Sequence, residues 1–197
     1  MNDEREPPWM AQAQAGPAPV LDFAFCVVEE PRLYRPALPR TGGYVLSADV
    51  GDRVAELARY YLDVLQMLRN TRRTAAQHPY YFWVRPWILG GDYAISFPWY
   101  DTYEETLRFF RTVGEAAGGE AFWDRDQGWE IQMWAKEDRL YVHQWDPDAE
   151  TEYVCVSFDR QALLGMIPVV QHRLDGILAE LRRLVGGDYW SRHPGPL

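Results

Sequence analysis

Hydrophobic side chains recur along this chain in two patterns, one typical of helices and one typical of strands. Three segments repeat apolar residues every three or four positions, which predicts amphipathic helices over 52–69, 103–115 and 160–185. Between them, short runs rich in Val, Phe and Tyr predict strands. The predicted order is ββαββαβββα, with mostly hairpin-length links. It indicates an α+β fold, in which an antiparallel sheet of about six to seven strands carries three helices mainly on one face.

The same pattern sets the expected domain boundaries. Residues 1–20 contain four prolines and little to bury, which predicts a flexible N-terminal tail. Residues 21–190 are expected to form one α+β domain, because 197 residues is an ordinary length for a single domain. Residues 191–197 are expected to be a short C-terminal tail. Pro168 falls inside the last apolar stripe and should kink that helix or split it.

Charge is concentrated in one stretch of three predicted strands, residues 120–159. This stretch holds eleven acidic and three basic residues, a net charge of −8, whereas the whole chain carries −9. It also holds four of the nine tryptophans. Tryptophan is enriched where proteins bind proteins, so the composition favours a binding surface.

The first two strands of this acidic stretch alternate in character. Five residues would share the side that faces the core: Trp129, Ile131, Met133, Leu140 and Val142. Six residues would then lie on the opposite side: Glu130, Gln132, Trp134, Tyr141, His143 and Trp145. Either helices cover that side or it is a recognition surface.

The net charge of −9 excludes some partner classes and favours others. Nucleic acids and anionic membrane surfaces both require clustered Lys and Arg, so neither is an expected partner. A basic protein is the natural complement. The first residues lack the apolar core of a secretory signal, and no apolar run approaches the ~18 residues that span a bilayer, so a cytoplasmic location is expected.

The sequence lacks the common motifs for catalysis and cofactor binding. The chain has no Gly-x-Ser-x-Gly elbow, and its four histidines show no metal-ligand spacing. A calcium loop that starts at Asp124 fails because Gly128 occupies the position of a ligand. Cys26 and Cys155 each lie in an apolar run, which is typical of buried thiols, although the sequence leaves a disulfide open. We therefore expect no cofactor, no metal and no enzymatic activity.

Two alternatives to a binding protein that inhibits its partner stay open at the level of sequence. Asp124, Glu130 and Asp146 lie near tryptophans in the chain and would suit a small hydrolase if their carboxylates converged in an aromatic cleft. An adaptor or chaperone that binds an effector without neutralising it is the other alternative.

The second half of the chain resembles a known class of proteins. The run Gly128-Trp129, then Trp145-Asp146-Pro147-Asp148, followed by a strand, a long helix and Gly187-Asp188-Tyr189-Trp190, is similar to small cytoplasmic immunity proteins of bacterial polymorphic toxin systems. The resemblance implies a protein that binds and neutralises a cognate toxin domain. Together with the charge pattern it gives twelve expected contact residues: Asp124, Asp126, Trp129, Glu130, Trp134, Glu137, Asp138, His143, Trp145, Asp146, Asp148 and Glu150.

Overall fold

The structure is a computed structural model that describes residues 6–91, 93–126 and 128–192. Within these residues the strands are β1 (Gln14–Ala15), β2 (Val20–Cys26), β3 (Tyr44–Leu46), β4 (Val84–Leu89), β5 (Ala94–Ser96), β6 (Gly119–Asp126), β7 (Trp129–Lys136), β8 (Arg139–Asp146) and β9 (Thr151–Asp159). The α-helices are α1 (Ser47–Val50), α2 (Val54–Asn70), α3 (Tyr103–Glu115) and α4 (Arg160–Val185). Short 3₁₀ helices cover Pro8–Gln12, Ala75–Gln77 and Pro79–Phe82.

The α+β class predicted from the sequence is confirmed, but the strands form two sheets rather than one. The larger sheet has the order β1-β9-β8-β7-β6, and the smaller has the order β3-β2-β4-β5. The three long helices α2, α3 and α4 match the predicted ones closely, because each carries a clear apolar stripe. Strand pairing depends on contacts between distant residues, which the local pattern does not encode.

The chain divides into two compact units, where the sequence predicted one domain over 21–190. The first unit contains the described residues before Asp22, together with Ile88–Phe97 and Arg108–Ile167. The second contains Asp22–Trp87, Pro98–Leu107 and the residues from Pro168 on. The sequence predicted that Pro168 kinks this helix or splits it, and the structure shows no split, since α4 continues through Pro168.

The first unit is built on the antiparallel order of β6, β7, β8 and β9. Ile131, Met133, Leu140 and Val142 project to its core, and all four are fully buried. An aromatic cluster adds to this core, since the ring of Phe97 lies 4.3 Å from that of Phe109 and 5.6 Å from that of Phe122. Each such buried side chain contributes roughly 1.5–3 kcal/mol relative to an exposed one.

The N-terminal residues belong to the first unit and do not form the tail that was expected. Residues 8–12 form a 3₁₀ helix, and β1 pairs in parallel with β9 through Gln14–Val156 and Ala15–Ser157. Two prolines open the 3₁₀ helix, because a proline in the first turn needs no backbone donor. Residues 1–5 of the expected N-terminal tail and residues 193–197 of the C-terminal tail lie outside the described residues.

The second unit has its own aromatic core and a buried ion pair. Trp190 is fully buried, and its ring lies 5.0 Å from that of Tyr61 in an edge-to-face contact. The Asp22 carboxylate is buried and accepts hydrogen bonds from Ser47 Oγ, from the Ala48 amide at 3.1 Å and from Arg173 Nη2 at 2.9 Å. Ala48 lies in the first turn of α1, so the strand predicted over 43–50 ends at Leu46, where this helical turn begins.

Candidate functional site

The strand register places the predicted polar residues on one face of the larger sheet. Gln132 pairs with His143, Trp134 with Tyr141, and Glu130 with Trp145. Because side chains alternate along a strand, these six residues lie opposite the buried Ile131 and Met133. We call this side the polar face. Trp123 on β6 and Cys155 on β9 extend it, since they pair with Gln132 and His143.

The polar face is partly covered by the chain's own N-terminal segment, residues 6–16. Trp9 Nε1 donates a hydrogen bond to Gln132 Oε1 at 2.6 Å. The Trp9 ring also stacks on His143, with centroids 5.1 Å apart and planes 18° from parallel. The sequence left a choice between a helical cover and a bare recognition surface. The structure shows a third arrangement, because a short aromatic segment of the same chain lies on this face.

Further contacts fix the N-terminal segment at both of its ends. Lys136 Nζ lies 2.7 Å from Glu6 Oε1, and this hydrogen-bonded carboxylate raises the pKa of Lys136. At the other end, the Gly16 amide donates to the Ser157 carbonyl at 2.9 Å. The segment therefore crosses the sheet from β7 to the outer edge of β9.

Glu130 was expected at the contact surface and is instead a buried, satisfied carboxylate. It is 6% exposed. Its Oε1 accepts from Trp123 Nε1 at 3.0 Å and from Gln132 Nε2 at 2.6 Å, and Arg125 Nε lies 3.8 Å from its Oε2. A buried carboxylate with this many internal partners holds neighbouring side chains in place, so Glu130 is corrected to a structural residue.

His143 and Trp134 are also removed from the expected contact surface by burial. His143 is 8% exposed and Trp134 is 7% exposed. The His143 ring stacks on Trp9 and faces Trp145 at a centroid distance of 6.0 Å. The alternation of β7 and β8 identified the face of the sheet correctly. It carried no information about which distant residues would cover that face.

Two acidic turns lie side by side at one end of the larger sheet. In an antiparallel meander, alternate turns share an end, so the β6–β7 turn and the β8–β9 turn are neighbours. The Gly128 amide in the first turn donates to Asp148 Oδ2 in the second at 3.2 Å. This end carries five of the predicted contact residues, and we call it the acidic end: Asp124, Asp126, Asp146, Asp148 and Glu150.

The turn between β8 and β9 is built by one of these carboxylates. Asp146 Oδ1 accepts from the amides of Asp148 at 2.9 Å and Ala149 at 3.1 Å. Such a side-chain cap is a common way for Asp to stabilise a tight turn. Glu150 follows with a φ of +51°, which turns the chain into β9. Asp148 and Glu150 are exposed beyond this cap, so their charges point to solvent.

Among the described residues, no basic side chain neutralises the acidic end. In the part of the chain that the structure describes, no Lys or Arg forms an ion pair with any of its five carboxylates. Arg125 is the basic residue closest to them in sequence, and its guanidinium is directed to Glu130. A cluster of unpaired like charges projects a negative field into solvent.

Glu137 and Asp138 were predicted in the same surface, and the structure places them at the opposite end of the sheet. They form the turn between β7 and β8, eight residues along each strand from the acidic end. At about 3.3 Å per residue, that separation is roughly 25 Å. The Asp138 carbonyl accepts from the Arg160 amide at 2.8 Å. A single small contact patch therefore does not include both ends.

Aromatic side chains border the acidic end, and two of them were missed from the sequence. Tyr153 is 54% exposed, and its hydroxyl donates to Asp146 Oδ2 at 3.3 Å. Trp123 is 51% exposed. The predicted Trp129 and Trp145 are half-buried beside them. Tyr153 follows directly on the acidic turn in sequence, and that position is the signal that would have indicated it.

Of the carboxylates named for a hydrolase, Glu130 does not converge with Asp124. Asp124 pairs with Ile131 and so projects to the same side as that core residue, whereas Glu130 lies on the polar face. Two carboxylates of a glycosidase must instead flank one bond from positions about 5–10 Å apart. No group of three or more His, Cys, Asp or Glu suited to a metal ion occurs among the described residues.

The second unit contains a further buried polar cluster, in addition to the one around Asp22. Arg85 Nε lies 2.6 Å from Asp101 Oδ1, and its guanidinium is 5.2 Å from the Trp83 ring centroid. Burial raises the pKa of Asp101, although Arg85 lowers it in part. Burial also raises the pKa of the Cys26 thiol to about 12. A thiol with that pKa stays protonated at neutral pH, so Cys26 is not an activated nucleophile.

Comparisons with protein-family models, with curated proteins and with solved structures found no match for this chain. The structure adds one further general fact. Among the residues it describes, none of the helices combines the length and the apolar character needed to cross a membrane.

Proposed function

We propose that this protein is an immunity protein, which binds a cognate toxin domain through its acidic end and so neutralises it. The observation that carries the proposal is the pair of neighbouring acidic turns, held together by the bond from the Gly128 amide to Asp148. Their carboxylates lack basic partners within the described chain. A surface of this kind is matched by a basic protein.

Electrostatic steering gives such a surface a physical role in neutralisation. Fields from clustered charges raise association rates by about 10-fold to 1000-fold at low ionic strength. Fast capture of a toxin matters to a cell that produces it. The same negative charge repels nucleic acid, so a protein partner is favoured.

The aromatic residues beside the carboxylates would supply binding energy that charge alone does not. Tyr153 and Trp123 are more than half exposed, and Trp145 lies between the polar face and the acidic turn. Tyr and Trp dominate the energetically important contacts of protein interfaces. We therefore assign the anchoring contacts to these aromatic rings and the steering to the carboxylates.

The proposal includes three expectations drawn from the sequence. The protein acts without catalysing a reaction of its own, it needs no cofactor, and it works in the cytoplasm, where a producing cell meets its own toxin. The divergent placement of Asp124 and Glu130 supports a binding role over the hydrolase alternative.

Co-expression tests the proposal directly. The reading frame next to this gene is expressed alone, with the wild-type chain, and with a variant that removes three of the five charges of the acidic end, Asp126→Asn/Asp148→Asn/Glu150→Gln. A non-toxic neighbouring product that the chain does not bind would refute the immunity function.

A matched control separates local charge from total charge. Glu115→Gln/Glu137→Gln/Asp138→Asn removes three exposed carboxylates from the first unit but leaves the acidic end intact. This control should protect as well as the wild type. Equal loss of protection by both triple variants would show that the acidic end has no special role.

A further inference from the structure

The outer edge of β9 is only partly covered. Strand β1 pairs with Val156 and Ser157, and then its chain leaves the edge. No strand within the described residues pairs with the earlier part of this edge, residues 151–154. The 3₁₀ helix at residues 8–12 explains the gap, because it carries the chain over the polar face, where Trp9 stacks on His143.

A groove follows this uncovered edge. It has a volume of about 430 Å³, and its wall includes Gln12, Gln14, Gly16, Tyr93, Tyr153 and Val154. Among the described residues that line it, none is charged. At about 3.3 Å per residue, the edge from residue 151 to residue 155 would accommodate roughly 17 Å of extended chain.

We propose that this groove binds an extended, arginine-bearing segment of the partner, which adds as a strand to the uncovered edge of β9. The inference rests on the proposed function and names how the toxin domain is held. The first support is that this edge already accepts an added strand, since β1 pairs with it in parallel. Uncovered strand edges recruit extended chains through backbone hydrogen bonds.

The chemistry of the partner segment follows from what borders the groove. The acidic turn with Asp146, Asp148 and Glu150 leads directly into β9. Asp146 lies beside the groove, because the hydroxyl of the lining residue Tyr153 donates to its Oδ2 at 3.3 Å. A basic side chain on the segment would be attracted, and an acidic one would be repelled.

Tyr153 makes arginine a better fit than lysine. A β-bulge falls between the pairs Gln144–Val154 and Trp145–Glu152, and it leaves Tyr153 as the extra residue on β9. Bulges commonly re-aim a side chain, and here the Tyr153 ring is 54% exposed with its hydroxyl on Asp146. A planar guanidinium can stack on that ring while it pairs with the Asp146 carboxylate.

The test uses the full-length chain and four synthetic probes. The probe is a capped, fluorescein-labelled octapeptide that alternates Arg and Thr. Of the three comparison peptides, one has Lys in place of Arg and one has Glu in place of Arg. The third keeps the Arg-Thr sequence but has alternate backbone amides N-methylated. We expect the Arg peptide to bind most tightly, the Lys peptide about fivefold more weakly, and the Glu peptide and the N-methylated peptide not to bind.

Two variants and their controls locate the binding. Tyr153→Ala and Asp146→Asn should each weaken binding of the Arg peptide by about fivefold, because the Asn still caps the turn through its carbonyl oxygen. Trp99→Ala and Glu115→Gln change an exposed ring and an exposed carboxylate that are not among the described lining residues of the groove, and should leave binding unchanged. Bound Arg peptide should also slow amide hydrogen exchange in residues 151–156 and not in 129–136.

The outcomes separate this inference from the proposed function. No binding of the Arg peptide, equal binding of the N-methylated peptide, or unchanged exchange in residues 151–156 would each overturn the groove assignment. The co-expression result does not depend on any of these measurements. Conversely, a bound Arg peptide with a non-toxic neighbouring gene product would keep the groove as a basic-segment site and refute the immunity function.

Discussion

At the scale of single residues, burial decides which polar side chains are structural and which are available to a partner. Glu130 and His143 looked like surface residues in the sequence, and both are buried with neighbours from the same unit. Asp148 and Glu150 carry the same kind of charge as Glu130 but remain exposed. Only the exposed carboxylates can contribute to recognition of a second protein.

The buried ion pair in the second unit yields a prediction about stability. Asp22→Ala removes the acceptor for Ser47, Ala48 and Arg173, and it leaves the guanidinium of Arg173 without its partner. We expect a loss of about 3 kcal/mol in the free energy of unfolding, at the low end for a buried pair because Arg173 is partly exposed. Urea denaturation measures it. The control Asp22→Asn keeps one acceptor oxygen and should lose only about 1–2 kcal/mol. A loss below 1 kcal/mol for Asp22→Ala would contradict the account.

The two thiols should differ in reactivity. Neither cysteine is in a disulfide. Cys26 is buried with a pKa of about 12, whereas Cys155 is half-buried. Because the thiolate is the reactive form, we expect a thiol reagent at pH 8 to modify Cys155 much faster than Cys26 in the native chain. Peptide mapping by mass spectrometry identifies the modified residue, and both should react once the chain is unfolded in denaturant.

At the scale of elements, a helix or strand could be predicted from the sequence when its own residues determine it, and could not when distant residues do. The helices over 103–115 and 160–185 followed from their apolar stripes, because a stripe on a helix is a local property. The polar and core faces of β7 and β8 also followed, from alternation alone. The N-terminal segment did not, because its structure comes from Trp9 meeting Gln132 and His143, more than a hundred residues away. No local pattern in a proline-rich stretch reports such a contact.

The dependence on long-range pairing also explains why the predicted contact residues lie at two opposite ends of the larger sheet. Residues 120–159 were correctly identified as the acidic stretch, but sequence proximity suggested one surface. The meander sends Glu137 and Asp138 to one end and Asp146 and Asp148 to the other. Which carboxylates are neighbours depends on strand length and register, which composition does not report.

The N-terminal segment should contribute to the stability of the first unit. Trp9→Ala removes the stack on His143 and the hydrogen bond to Gln132, and we expect a loss of about 1–2 kcal/mol because the ring is only half-buried. Trp9→Phe keeps a ring to stack and should lose about half of that. Chemical denaturation of both variants provides the measurement. An alanine variant as stable as the wild type would show that the segment does not hold to this face in solution.

The pairing of the two acidic turns depends on a glycine. Gly128 has a φ of +74°, and a Cβ built there would lie 3.9 Å from Asp146 Oδ2, so space is not the constraint. Gly128→Ala should therefore cost about 1–2 kcal/mol through backbone strain alone. Gly118→Ala, which needs no left-handed backbone and meets nothing closer than 3.9 Å, is the matched control. Thermal or chemical unfolding that finds the two variants equally stable would contradict this explanation.

At the scale of the whole molecule, charge distribution connects the fold to the proposed function. The chain has a net charge of −9, and the 120–159 stretch holds −8 of it. The larger sheet then gathers five of those carboxylates at one end, without ion pairs to basic residues among the described ones. A protein with evenly spread acidity would gain solubility only. A protein whose acidic residues are clustered also attracts a basic partner preferentially to that cluster.

The association rate of the chain with the product of the neighbouring gene tests this account most directly. Stopped-flow measurements would compare the wild type, Asp126→Asn/Asp148→Asn/Glu150→Gln and the control Glu115→Gln/Glu137→Gln/Asp138→Asn from about 20 mM to 500 mM salt. The account predicts that the acidic-end variant associates about tenfold more slowly at low salt, that the difference disappears at high salt, and that the control matches the wild type. Equal rates for the wild type and the acidic-end variant at low salt, or equal slowing of both triple variants, would contradict it.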